Sequence, residues 1–93
     1  MNSPPDSWLA QFAEQNVVVD FDGPWMAFGR LVGWSHDHLV LEQADLHDLR
    51  EGTSTRDVYA LESRQLGIRV NRIRVAIALR HIIALSRLDD LTA

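Results

Sequence analysis

The chain has 93 residues, 46% hydrophobic and 24% charged, and reads as one small domain (1–93), apolar enough for a core and not charged enough for disorder. It contains no cysteine, which excludes a disulfide scaffold, a thiolate metal site and a cysteine nucleophile; no apolar run approaches the roughly 20 residues of a membrane-spanning helix. Thirteen acids outweigh nine basic residues, all arginine, and the net −4 divides into −7 over residues 1–51 and +3 over 52–93, so any contact with phosphate has to be local.

Residues 1–5 form a polar, proline-containing flexible lead. Met1 to Asp6 hold no basic region followed by an apolar core, so a secretory signal is not expected and a cytoplasmic location is. Ser3 or Asp6 suits the cap of a helix, and Pro4 and Pro5 its first turn. Trp8, Leu9, Phe12 and Ala13 follow at helical spacing, with Asn16 as the stop. A helix this short has to pack on what comes next, and Trp8 is expected to be one of its packing residues.

What comes next is β. Val17-Val18-Val19 and Phe21 open a strand, and Asp22-Gly23-Pro24 is a turn. Trp25 to Trp34 makes a second strand, where Gly29 and Gly33 signal a bend or a close backbone approach. Ser35-His36-Asp37-His38 is a polar tip, and Leu39-Val40-Leu41 is a third strand ending near Ala44. Residues 45–71 read as an insertion. Asp45, His47, Asp48, Arg50 and the residues to Ser54 look like an exposed loop. Ser54 or Thr55 then caps a helix through Val58, Tyr59, Leu61 and Leu66, closed by Gly67, with Val58/Leu61 and Tyr59/Leu66 on one side. An extended hairpin is the alternative for this stretch. Ile73, Val75, Ile77 and Leu79 alternate with Arg74, Ala76, Ala78 and Arg80 as a fourth strand. Arg80-His81 interrupts the pattern, Ile82 to Leu85 is a fifth strand, and 89–93 is a polar tail.

The run Val17 to Gly23, the Gly29-Arg30-Leu31 triplet and the strand Leu39 to Ala44 resemble the first sequence motif of the Sm-like superfamily. Leu79-Arg80-His81-Ile82-Ile83-Ala84-Leu85 resembles the second, closer to the Lys-His turn of the bacterial Hfq type than to the Arg-Gly turn of its eukaryotic and archaeal counterparts. The resemblance covers residues 6–44 and 72–88, and the insertion falls where the superfamily has a variable loop. It implies a mainly β fold: an SH3-type, five-stranded, strongly bent small barrel with an N-terminal α-helix. It also implies a homo-oligomer, a ring of six or seven subunits in which the fourth strand of one copy pairs with the fifth strand of the next. Single-stranded RNA is the implied partner, held near the ring pore by the tip, with His38 beside Asp37, and by the turn Arg80-His81. Histidine can stack on a base, and arginine can pair with phosphate. An exposed turn with Arg80 paired to Asp89 or Asp90 is the plain alternative. No catalysis, cofactor or membrane partner is implied; the second functional reading is a protein-interaction scaffold that binds no RNA.

Other groupings carry less. His36, His38, His47 and Asp48 have ligand chemistry but match no established spacing, so no metal is expected. Ser35-His36-Asp37 cannot act as a hydrolytic triad, because adjacent residues do not converge as nucleophile, base and orienting group. Arg64, Arg69, Arg72 and Arg74 form either an RNA-contacting patch or, as favoured here, a surface complementary to the acidic first half of a neighbouring copy.

Overall fold

The computed structural model describes residues 8–92. The polar lead, the cap at Ser3 or Asp6 and the two prolines after it lie outside the described residues. Helix is present at 8–10 and passes into tight turns, in which Phe12 N–H donates to the Leu9 carbonyl (3.0 Å) and Ala13 N–H to that of Ala10 (3.2 Å). Glu14, at φ 63°, breaks the spiral, and its N–H donates to the Leu31 carbonyl at 2.7 Å, which steers the chain into strand β1 (Asn16–Phe21). Leu9 is buried and Phe12 packs on the core, but Trp8 is 65% exposed. The expected packing role of Trp8 is therefore corrected: the helix rests on its Leu9–Phe12 edge.

Strands β2 (Trp25–Trp34), β3 (His38–Asp48), β4 (Arg72–Ala78) and β5 (Ile82–Arg87) complete one antiparallel sheet in the order β4-β3-β2-β1-β5. β1 is covered on both sides, which explains three consecutive valines where a half-exposed strand would alternate. Val17 and Val19 face one core, with Ala27, Leu31, Leu39, Leu41 and Ile77, while Val18 faces a second, with Met26, Phe28, Tyr59 and Leu88.

The sheet bends where β2 and β3 slip register, between Phe28 and Arg30 and again between Leu31 and Gly33. Opposite the first slip, Gln43 takes φ 49°, as a bulge residue does. A Cβ at Gly29 would stand 3.1 Å from both the Ala44 Cβ and the Glu42 carbonyl oxygen, so a side chain there would push β3 away. This is the close approach that a glycine in this strand signals.

Residues 45–48 are not loop. β3 continues to Asp48, four residues past its expected end, because Asn71 stitches that extension in place. Asn71 N–H donates to the Ala44 carbonyl (2.8 Å), its Nδ2 to the Leu46 carbonyl (3.1 Å), and its Oδ1 accepts from Leu46 N–H (2.9 Å). Helix α1 (Arg56–Leu66) follows, and the hairpin alternative is excluded. The Thr55 hydroxyl accepts from Val58 N–H at 3.2 Å, and Gly67, at φ 101°, donates its N–H to the Ser63 carbonyl at 3.0 Å. The buried face is Tyr59, Ala60 and Ser63, whereas Val58 and Leu66 are exposed, so the apolar side expected from the sequence is also corrected.

Tyr59 docks the helix. Its hydroxyl donates to Oδ2 of Asp45 at 2.6 Å, and Asn71 Nδ2 donates to Oδ1 of the same carboxylate at 3.0 Å. The His47 ring stacks on Tyr59 at 3.6 Å and 8°, and the Arg69 guanidinium lies 5.2 Å from its centroid. Burial, then the hydrogen bond to Asp45, pushes the Tyr59 hydroxyl up to about 12. Arg56, at the start of α1, donates to the carbonyls of Gly23 (3.0 Å) and Trp25 (3.2 Å) and pairs with Asp20 (3.3 Å), tying the helix to the β1–β2 turn. Among the described residues no helix is long and apolar enough to cross a membrane.

Candidate functional site

At the far end of β3 the β2–β3 tip is a compact polar turn. Ser35 N–H donates to the His38 carbonyl at 2.9 Å, and the Ser35 hydroxyl accepts from His38 N–H at 3.2 Å. The same hydroxyl donates to Oδ1 of Asp37 at 2.8 Å. His38 Nδ1 lies 3.0 Å from that oxygen; since a carboxylate only accepts, Nδ1 carries the proton. These contacts, His38 first and Ser35 next, hold the Asp37 carboxyl down at about 2, with smaller help from the nearby imidazoles. Asp37 is thus an anion with one oxygen engaged twice. Its Oδ2 has only the His36 Nε2, at 3.9 Å.

The β3–β4 register aligns His38 with Ala78, and Leu79 N–H donates to the Asp37 carbonyl at 2.9 Å. This brings the 3-10 turn Leu79–His81, which joins β4 to β5, against the tip. Between them lies a cleft of about 380 Å³ lined by His36, Asp37, His38, Ala78, Leu79 and Arg80. Three of the four residues expected to form the site therefore share one cleft. The fourth, His81, adjoins it from behind. Its Nδ1 is 3.2 Å from Oδ2 of Asp22 on the β1–β2 turn, while its Nε2 accepts from Arg80 Nε at 3.3 Å. Both contacts suit the tautomer protonated at Nδ1. Two residues escaped the sequence reading of this site. His36 carried a signal in the His-x-His spacing; Asp22 carried none, because its approach to His81 depends on the fold.

The alternative pairing of Arg80 with Asp89 or Asp90 is not observed among the described residues; Arg87 takes Asp90 at 3.0 Å. His38 and His47 stand at opposite ends of β3, and the described residues contain no group of three His, Asp or Glu side chains placed to hold a metal ion. The arginines of the second half are largely engaged within the chain. Arg74 binds Glu42, which also accepts from Arg30 at 2.9 Å, and the Arg74 hydrogen bond holds the Glu42 carboxyl below its ordinary value. Arg69 pairs with Glu62 at 3.5 Å, and Arg72 donates to the Asn71 carbonyl at 3.1 Å. The charge division of the sequence is thus partly neutralised inside one copy.

Among solved structures, the chain is similar to the Sm protein of Pyrococcus abyssii in complex with a uridine heptamer, with a TM-score of 0.60 over 92% of this chain and 99% of that one, at 17% identity. The fold is the Sm fold. No protein-family model matches the chain, and no curated protein matches it by sequence. In this Sm fold the cleft lies between the β2–β3 tip and the β4–β5 turn, and the two edges of the sheet belong to β4 and β5.

Proposed function

We propose that this chain binds single-stranded RNA as a ring-forming homo-oligomer of the Sm-like type and serves RNA metabolism or RNA chaperoning rather than catalysis. The observation that carries the reading is the meeting of Asp37, His38 and Arg80 in one cleft, with His81 hydrogen-bonded to Arg80 behind it. A histidine that can stack, an arginine free of carboxylate partners among the described residues and an apolar floor of Ala78 and Leu79 suit an unstacked base and its phosphate. Repetition around a ring of six or seven copies would turn weak single contacts into useful affinity. With −4 per copy, any phosphate contact has to be local and modest, and what the cleft arginine of each copy supplies should weaken with salt.

Assembly is supported by the two outer strands. β4 and β5 end the sheet on opposite sides, and each exposes a large apolar side chain, Ile73 at 80% and Ile83 at 68%. An open edge with an exposed isoleucine invites pairing with another chain. Native mass spectrometry is expected to show a hexamer or heptamer, and Ile73→Arg is expected to return it to monomers; a wild-type monomer at micromolar concentration would sink the assembly. For RNA, filter binding with U-rich, A-rich and G-containing oligonucleotides should show at least severalfold weaker retention for Arg80→Ala than for wild type. Absent or equal retention by both proteins would leave the second reading, a protein-interaction scaffold, for which the exposed Val58 and Leu66 of α1 speak.

A further inference from the structure

We propose that the cleft between the tip and the β4–β5 turn selects guanine over uracil, with Asp37 as the specificity-determining residue and Arg80 as its complement; this rests on the RNA-binding reading above. A cleft of about 380 Å³ is of the size that takes a small planar ligand. Its polar lining is asymmetric. Asp37 is ionised through the whole neutral range, because His38 and Ser35 hydrogen-bond its charged form, and an ionised carboxylate can only accept. Both donors meet on Oδ1, so Oδ2 is the unfilled acceptor, with His36 Nε2 no closer than 3.9 Å. Arg80 is the opposite: a guanidinium has donors and no acceptor. Its Nε is engaged with His81, which leaves its terminal nitrogens for a ligand. Acceptor and donor line the same cleft, with Ala78 and Leu79 available to a ring face.

The Watson–Crick edge that matches an acceptor beside a donor can be read from the bases themselves. Guanine presents two adjacent donors, N1–H and the 2-amino group, followed by the O6 acceptor. Both of its donors converge on the unfilled Oδ2 of Asp37 while O6 meets the terminal nitrogens of Arg80. Uracil presents a single N3–H between two carbonyl oxygens, so any approach to Asp37 sets a carbonyl dipole against a fixed anion. Adenine and cytosine each offer one amino donor beside a ring-nitrogen acceptor and rank between. Discrimination thus arises as much from repulsion of uracil as from attraction of guanine.

Fluorescence anisotropy with labelled hexamers tests this: hexauridine, an alternating uridine–guanosine hexamer, and the same hexamer with inosine, which lacks the 2-amino group. Wild type should bind the guanosine hexamer about tenfold more tightly than hexauridine, the scale of a matched hydrogen-bond pair to a base, with inosine between the two. Asp37→Asn, whose amide supplies a donor as well as an acceptor, should lose that preference while keeping its unfolding midpoint and its oligomeric state. Uridine-first binding by wild type, or a guanosine preference that survives in Asp37→Asn, overturns the selection and leaves the RNA reading standing. If no hexamer binds wild type at all, the RNA reading itself falls, and this inference with it.

Discussion

Two aspartates at opposite ends of β3, one just ahead of it and one within it, receive the same kind of partners and end up in opposite roles. Asp37, just ahead of the strand, accepts from one hydroxyl (Ser35) and one side-chain nitrogen (His38). Asp45, within it, also accepts from one hydroxyl (Tyr59) and one side-chain nitrogen (Asn71). The partners of Asp37 come from within two residues and converge on a single oxygen, leaving the carboxylate 60% exposed with its other oxygen open to a ligand. The partners of Asp45 come from 14 and 26 residues away, occupy both oxygens and leave the residue 2% exposed. Local partners orient a charge and keep it available. Distant partners consume it, and the chain between them is thereby held in place. One end of β3 is consequently a surface that can do chemistry with a partner, and the other is a joint.

That contrast can be broken most forcefully at the joint. Tyr59→Ala removes a buried aromatic ring and leaves the Asp45 carboxylate short of a donor, so urea unfolding should show a loss of about 3–5 kcal/mol. A loss below 1 kcal/mol would mean that the helix does not depend on this contact. Alkaline titration gives the next largest effect. The Tyr59 hydroxyl is raised to about 12 from an ordinary value near 10, so the native state holds its proton where the unfolded chain releases it. The stabilisation is therefore complete below pH 10 and declines through about pH 12, by about 3 kcal/mol in total. Tyr59 is the chain's only tyrosine, so tyrosinate absorbance reads the group directly; half-ionisation already at pH 10 in the native protein would refute the burial argument. The smallest effect is expected at the exposed carboxylate. Asp37→Ala should leave the unfolding midpoint almost unchanged, as an exposed polar substitution does, while altering oligonucleotide binding. Its acid dependence has the opposite sign to that of Tyr59. The carboxyl is lowered to about 2, so its small contribution is present above its ordinary value and fades as pH falls toward 2. A large stability loss in Asp37→Ala would make the tip a second joint and remove the distinction.

The same contrast governs what could be read from the sequence. The tip and α1 were legible because their determinants lie close together: Ser35 to His38 for the turn, Thr55 and Gly67 for the helix ends. β2 was legible to the residue, since its turn residues and glycines stand within it. The extension of β3 was not. Asp45 and His47 look like solvated loop until Tyr59 and Asn71 arrive from elsewhere to satisfy the one and Tyr59 stacks on the other. The helix face failed for a related reason. Leu66 and Val58 are the more apolar choices, but the helix turns toward Asp45, to which Tyr59 donates. At the candidate site, the grouping of Asp37, His38 and Arg80 was recoverable through the family resemblance, whereas the contact between His81 and Asp22 joins residues 59 apart and had no sequence signal.

The bulge at Gln43 has a consequence for how the chain tolerates change in length. Ahead of it, the odd-numbered Leu39 and Leu41 point into the barrel; beyond it, the even-numbered Ala44 and Leu46 do, and Asp45 points to the helix. Gln43 is a phase shift, a single uncounted step that converts one strand from serving one interior to serving two. Additions to the 49–55 connection should pass with little harm, since no pairing parity runs through it. Deleting Gln43 would set Ala44 alone opposite Gly29 and leave Asp45 facing the helix, so its cost would fall on the bend of the sheet; a residue added between Ala44 and Asp45 would instead turn that carboxylate toward the valines of β1 and leave Tyr59 with nothing to hold.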